Sequence, residues 1–330
     1  MRRAGNLIEK IADIDNLFDA YYKARRGKQH KYSVQQYARH IEENLTSLRR
    51  QILSGDVKVG AYHRFKIYDP KERVICAAPF SDRVLHHAIM NVCKPVFERH
   101  LIYDTYATRD GKGIYQAIAK ACQGMLKYNY VAKLDVRKYF DSISHRILKK
   151  KLCRLFKDVL LLKIFDKIID SYCVNDGRGI PIGNLTSQYF ANYYLSSLDH
   201  YIKETLRVPV YVRYMDDMLL FARSKEELDL YIKSVTVFIE QSTDLLLKPC
   251  VKSKTETGVL FLGYRLYPHK IMLGGIAKRR FKRKVVRYEW LRTTLQWSET
   301  EYMQHITPLL AFVKQSYSKQ LRSNMCSRYG

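Results

Sequence analysis

Val208-Pro-Val-Tyr-Val-Arg-Tyr214-Met215-Asp216-Asp217-Met-Leu-Leu-Phe-Ala222 is an apolar and aromatic run broken by two adjacent carboxylates. Val, Tyr, Leu and Phe on both flanks predict two short strands, so Asp216 and Asp217 fall at the tip of a hairpin and Leu219 to Ala222 are buried. Two like charges beside a buried sheet repel each other and lose hydration, a cost that a bound cation offsets. The plainer alternative is a surface hairpin with aspartates in its turn, because Asp favours turns.

Tyr130-Val-Ala-Lys133-Leu-Asp135-Val136-Arg-Lys138-Tyr139-Phe140 supplies a third carboxylate. Alternation puts Val131, Lys133 and Asp135 on one face of a strand and Ala132, Leu134 and Val136 on the other, inward one. A lone Asp ending an apolar strand can cap the N–H groups of the next turn. Joined to the hairpin pair, it completes the carboxylate set that a two-cation phosphoryl or nucleotidyl transfer site requires.

With 330 residues and 47% apolar content, the chain is long enough for two or three globular subdomains. Its 58 Lys and Arg against 32 Asp and Glu give a formal charge of +26, which points to a polyanionic partner, nucleic acid first. No apolar run reaches the roughly 18 residues of a membrane span. Seven scattered cysteines without a C-x-x-C pair read as reduced, buried thiols of a cytoplasmic protein.

Residues 1 to 55 look helical, with Ser33-x-x-Gln36 offering a capping box. The cluster Arg25, Arg26, Lys28, His30 and Lys31 is either a phosphate contact or a solvated loop. Alternation from Gly60 to Ala78 predicts a β-hairpin turning at Asp69-Pro70. Arg73 and Arg83 are candidates for a triphosphate, through their rigid fork of donors, or else surface ion pairs. Adjacent His86 and His87 point about 100° apart on a helix, a poor metal pair that suits a groove wall or partial burial. Tyr106 to Gly113 is a basic, Gly-containing loop before a helix. Gly179-Ile-Pro181-Ile182-Gly183 is another loop, ahead of a helix carrying Phe190, Tyr194 and Leu198. Ser224-x-x-Glu227 is a second capping box. Lys248, Lys252 and Lys254 follow its helix, any one of them a candidate donor to a leaving pyrophosphate. From Gly275 onward, 12 Lys and Arg against 3 Glu make a basic helical end.

Taken together, these stretches resemble the right-handed palm of reverse transcriptases over about residues 60–265. Leu134-Asp135-Val136 through Phe140 is similar to the first palm motif, Tyr214-Met215-Asp216-Asp217 to the Y-x-D-D motif, and Phe261-Leu262-Gly263 to the primer-side motif that follows. Arg73 and Arg83, with Pro79 between them, resemble the fingers arginines that contact incoming nucleotide. Where most reverse transcriptases carry Gln-Gly-x-x-x-Ser-Pro, this chain has Ile182-Gly183-Asn-Leu-Thr-Ser187-Gln188. That variant, with the opening Gly5-Asn6-Leu7-x-Glu9-Lys10-Ile11, resembles the enzymes of diversity-generating retroelements within the group II intron-like superfamily.

The resemblance implies an α+β right-hand polymerase fold. Fingers would cover 1–125, and a palm of antiparallel sheet backed by helices 126–264, with a fingers-side insertion at about 146–180. A short basic helical thumb would cover 265–330. It implies Asp135, Asp216 and Asp217 as catalytic residues that hold two Mg²⁺ ions together with the Val136 carbonyl, Mn²⁺ being a substitute. The implied nucleotide contacts are Arg73, Arg83, Val136, Lys138, Tyr139, Phe140, Ile182, Gly183 and Gln188, with Phe140 rejecting a 2′-hydroxyl. The implied activity is RNA-directed DNA synthesis on a template-repeat RNA with errors at adenines, for mutagenic retrohoming. Expected partners are the template RNA, the cDNA primer and product, dNTPs and a small accessory variability protein, usually a helical pentamer, without a membrane. The alternatives are an ordinary or defence-linked bacterial reverse transcriptase and a catalytically inactive RNA-binding scaffold.

Overall fold

The computed structural model describes residues 3–68 and 72–329. They form two compact units, the first made of Met1–Tyr103, Val136–Thr205 and Val235–Leu246, the second of Asp104–Asp135, Leu206–Ser234 and Leu247–Gly330.

The first unit is mainly helical. Its longest wholly contained helix, Phe80–Glu98, buries Val84, Leu85, Ala88, Ile89, Val96 and Phe97, the spacing of one apolar face. Helix Ile14–Arg25 is started by Asp13, whose carboxylate accepts from the N–H groups of Asp15 and Asn16. Helix Tyr32–Arg39 corrects one expectation, because Ser33 lies inside it and Lys31 is its N-cap, with no side-chain cap. The turn before it, closed by the Lys31 N–H on the Lys28 carbonyl, leads straight into the helix and leaves the serine nothing to cap. Strands β1 (His63–Ile67) and β2 (Arg73–Ala77) pair antiparallel from His63↔Ala77 to Ile67↔Arg73. The turn expected at Asp69-Pro70 lies outside the described residues. The opening segment is tied down by Asp158, which accepts from the N–H groups of Leu7 and Ile8 at 3.0 and 3.1 Å.

The second unit is built on a four-stranded antiparallel sheet in the order β4-β5-β3-β6, with β3 Tyr130–Asp135, β4 Val210–Tyr214, β5 Asp217–Ala222 and β6 Val251–Lys254. Leu219 to Ala222 are all buried, as their composition predicts. Val131 is buried as well, so β3 is covered on both faces over its middle and the simple alternation fails there. Helix Ile114–Lys127 packs Ile118 and Met125 into one cluster with Val131, Val212 and Phe221. Gly124 permits that approach, since a Cβ there would stand 2.8 Å from three ring atoms of Phe221. A smaller sheet of β7 (Val259–Phe261), β8 (Tyr264–Leu266) and β9 (Ile271–Leu273) follows. Its first turn is Leu262-Gly263, both with positive φ (48° and 90°), the backbone that a two-residue hairpin turn favours. Helices Gly275–Thr293, Glu299–Lys314 and Lys319–Tyr329 follow and share a core of Phe281, Val285, Ile306, Val313 and Met325.

Antiparallel sheets with segregated helices make the fold α+β, as expected. Among the described residues no helix is long and apolar enough to cross a membrane. Cys76 and Cys93 are buried, whereas Cys153 and Cys173 are exposed, contrary to the expectation of uniformly buried thiols. Cys153 sits on the outer face of helix His145–Leu155, and Cys173 follows the end of helix Val159–Asp170.

Candidate active site

Asp135 ends β3 and Asp217 begins β5, and the two are direct cross-strand partners. Opposed residues in an antiparallel pair have Cα atoms about 4.5–5.5 Å apart, so the first and last carboxylates share one spot on the sheet. Asp216 adjoins them in the two-residue turn between Tyr214 and Asp217. Met215, the other turn residue, has φ +55°, an uncommon conformation for a side chain of its size. Arg213 supports it, fully buried in β4 and donating from Nη1 to the Met215 carbonyl at 2.9 Å. The strand itself is pinned by Asp104 to Tyr106, whose backbone exchanges hydrogen bonds with Arg213.

Asp216 and Asp217 titrate unlike surface carboxylates. Burial, then repulsion from Asp135 and Asp217, pushes Asp216 up from 3.8 to about 6. Burial also raises Asp217, against the pull of Lys133. Two ammonium groups contact these carboxylates. Lys133 Nζ lies 3.0 Å from Asp217 Oδ1, and Lys248 Nζ donates to Asp135 Oδ1 at 2.6 Å. The Lys248 N–H also donates to the Asp135 carbonyl at 2.8 Å, so the segment after helix Lys225–Thr243 is fastened to the end of β3.

Among the described residues no three His, Cys, Asp or Glu side chains are already gathered around a common point for an ion. The donor set nonetheless fits hard divalent cations: two carboxylates on facing strand ends, a third in the adjoining turn that is destabilised by burial and repulsion, and two lysines beside them. Asp135, Asp216 and Asp217 would hold such ions, with the backbone carbonyl of Val136 beside them in sequence.

The other expected site residues belong to the first unit, where backbone hydrogen bonds bring several together. The Cys76 N–H of β2 donates to the Ile182 carbonyl and the Ile180 N–H to the Phe140 carbonyl, each at 2.9 Å. Gly183, at φ +122°, fits against β2, where a Cβ would come within 3.1 Å of the Cys76 carbonyl. Arg73 is exposed on β2, and Arg83 is half-buried with its Nε–H on the Ala78 carbonyl. Lys138 is exposed; Phe140, Ile182 and Gln188 are half-buried. Tyr139 differs, for its ring is buried and its hydroxyl donates to the Ala191 carbonyl, which makes it a packing residue.

Two residues escaped the sequence reading. The Lys133–Asp217 contact was foreshadowed only by Lys133 sharing a strand face with Asp135, and Arg213 only by being the lone charge in an apolar strand. Of the three candidate lysines, Lys248 reaches Asp135, while Lys252 pairs with Asp229 at 2.7 Å. Ser224 does cap its helix: it accepts from the Glu227 N–H, and Glu227 reaches back to the N–H of Arg223. In the loop after Tyr106, Arg109 is turned onto Thr105, at 2.7 Å from its hydroxyl.

The chain is similar to known proteins. The chain is 26% identical over 176 residues to Protein YkfC of Escherichia coli K12, covering 48% of this chain and 45% of that protein. It is 24% identical over 212 residues to the Putative COX1/OXI3 intron 2 protein of Saccharomyces cerevisiae, covering 60% of this chain and 24% of that one. The chain thus spans less than half the length of these curated relatives. Among solved structures, apo telomerase from Candida tropicalis matches 66% of this chain and 49% of its own, at 12% identity and a TM-score of 0.50, a likeness of fold. Residues 68–266, more than half the chain and inclusive of all three aspartates, match the family described as reverse transcriptase (RNA-dependent DNA polymerase), and the chain belongs to that family.

Proposed function

We propose that this chain is an RNA-directed DNA polymerase whose nucleotidyl transfer depends on Asp135, Asp216 and Asp217. The observation that carries this reading is the pairing of Asp135 with Asp217 beside a half-buried Asp216 that is raised to about 6. Such a charge cluster costs folding energy unless cations offset it, which is typical of functional carboxylates. Asp135, Asp216, Asp217 and the Val136 carbonyl would hold divalent cations such as Mg²⁺, which would supply charge neutralisation and lower the pKa of a primer hydroxyl. Arg213 fixes the turn so that Asp216 and Asp217 keep their place. Arg73 and Arg83 take triphosphate oxygens, and Lys138, Gly183 and Gln188 take nearby nucleotide contacts. Phe140 excludes a 2′-hydroxyl and so selects deoxynucleotides. Fingers over 1–125, palm over 126–264 and thumb over 265–330 are the proposed division of labour. The net charge of +26 suits a template RNA gripped through its backbone and 2′-hydroxyls.

The proposed class is the diversity-generating one, acting in the cytoplasm with a pentameric accessory protein. Ile182 supports it: the position is half-buried, its carbonyl is held by the Cys76 N–H, and its side chain offers no amide to a base pair. Losing one such hydrogen bond removes about 0.5–1.5 kcal/mol of discrimination. Base selection then rests on shape, which discriminates poorly. Primer extension on an RNA template, with sequencing of the cDNA, tests both levels. Errors concentrated opposite adenine and reduced in Ile182→Gln support the class, while adenine copied as accurately as the other bases removes it. No cDNA, with or without accessory protein and cognate RNA, removes the polymerase reading.

A further inference from the structure

Helix His145–Leu155 begins on a histidine that is only 7% exposed, and both nitrogens of its ring are engaged within the first unit. Nε2 lies 2.7 Å from the Gly179 carbonyl; because a carbonyl only accepts, Nε2 carries the proton and donates it. Nδ1 lies 3.4 Å from Oδ1 of Asp170, the last residue of helix Val159–Asp170. A carboxylate at that end of a helix meets the negative pole of the macrodipole, a placement that is disfavoured without cations beside it. Lys149 answers it with Nζ 2.6 Å from Asp170 Oδ2, so Asp170 is clamped and the His145 ring is aimed at Gly179.

Gly179 opens the loop that leads to Ile182 and Gly183, and this loop is laced to the stretch that follows Phe140. The Gly179 N–H donates to the Ile143 carbonyl and the His145 N–H to the Gly177 carbonyl, each at 2.9 Å, beside the Ile180 bond to the Phe140 carbonyl. Arg178 adds a bond from Nη1 to the Ser142 carbonyl at 3.3 Å. Pro181 has no N–H to contribute, so the loop has one donor fewer with which to hold itself. Both polar groups of Gly179 thus end on residues 143 and 145, which fixes where the loop departs relative to Phe140.

We propose that His145 is a positioning residue for nucleotide selection: oriented by Asp170, it holds the Gly179 carbonyl and so fixes the spacing between Phe140 and the Ile182 loop. The inference rests on the polymerase reading and on the nucleotide contacts proposed for Phe140 and Ile182. His145 itself touches neither substrate nor metal in this role. The three aspartates belong to the second unit, so loss of the imidazole loosens the loop and leaves the carboxylates alone.

Two readouts on the full chain test this role. Hydrogen–deuterium exchange in EDTA without nucleotide needs no activity: peptides spanning 174–183 should exchange about tenfold faster in His145→Leu than in wild type, while those of β3 and β5 stay unchanged. Single-nucleotide primer extension on an RNA template with Mg²⁺ reads selection. There His145→Leu should raise KM for each dNTP about three- to tenfold with kcat within about twofold, and lower the preference for deoxynucleotides over ribonucleotides by a similar factor. In a Phe140→Ala background the same change should not lower that preference further, since the ring that it positions is gone. His145→Gln, whose amide nitrogen can reach the Gly179 carbonyl, should restore most of the loss, and Asp170→Asn should fall between wild type and His145→Leu. No cDNA from wild type overturns the polymerase reading, and this role with it. Normal cDNA synthesis by wild type overturns this role alone if His145→Leu leaves exchange in 174–183 unchanged, if KM and sugar preference match wild type, or if His145→Gln does no better than His145→Leu.

Discussion

Replacing Asp216 by Asn should make the metal-free protein more stable while it removes activity. The raised carboxyl means that the folded chain holds a proton more tightly than the unfolded chain does. Below about pH 3.8 the group is neutral in both states and costs nothing. Between 3.8 and about 6 the cost grows as pH rises, and above about 6 it is present in full. A difference between 3.8 and 6 corresponds to about 3 kcal/mol at 1.36 kcal/mol per pH unit. At about 2.1 cal/mol/K per residue, a chain of 330 residues should gain about 4 °C in Tm. Differential scanning calorimetry in EDTA at pH 7.5 should show that rise in Asp216→Asn, and at pH 4 the advantage should largely vanish. Added Mg²⁺ should stabilise wild type more than the variant, because a ligand that binds only the folded state adds stability by mass action. A variant less stable than wild type at pH 7.5, or equally advantaged at both pH values, would refute burial and repulsion as the cause of the shift.

Three other outcomes follow from neighbouring contacts. Lys248→Met removes the ammonium from Asp135; with both partners partly exposed the stability loss should stay within about 0.2–1 kcal/mol, while Mn²⁺ binding followed by electron paramagnetic resonance should tighten. Gly124→Ala drives a methyl into the buried Phe221 ring, so an overpacking cost of about 1–3 kcal/mol should outweigh a helix gain of about 1 kcal/mol, read as a lower urea midpoint. Phe140→Ala should raise ribonucleotide incorporation relative to deoxynucleotide in primer extension, with little change in Tm, since the ring is only half-buried.

The parts of the site that local pattern could carry were legible in the sequence. The apolar flanks of Asp216-Asp217 specified a hairpin, and the Leu219 to Ala222 run specified burial. What the sequence could not carry was pairing at a distance. Lys248 meets Asp135 across 113 positions, and nothing in its neighbourhood separates it from Lys252 or Lys254. The capping box at Ser33 failed because backbone bonds from the preceding turn had already begun the helix, whereas the one at Ser224 held because Glu227 could reach back. Tyr139 next to Phe140 shows the same limit: adjacent aromatics read alike, yet one is anchored in the core and the other half-open.

The claim on which the account rests is that Asp135, Asp216 and Asp217 act together in DNA synthesis on RNA. Primer extension with Mg²⁺ on a primed RNA template, run on wild type and on each single Asp→Asn variant with folding checked by circular dichroism, tests it directly. The account predicts cDNA from wild type and a loss of roughly a thousandfold or more in each variant, as expected when several kcal/mol of transition-state stabilisation disappear. Folded variants that extend the primer as well as wild type does would contradict it.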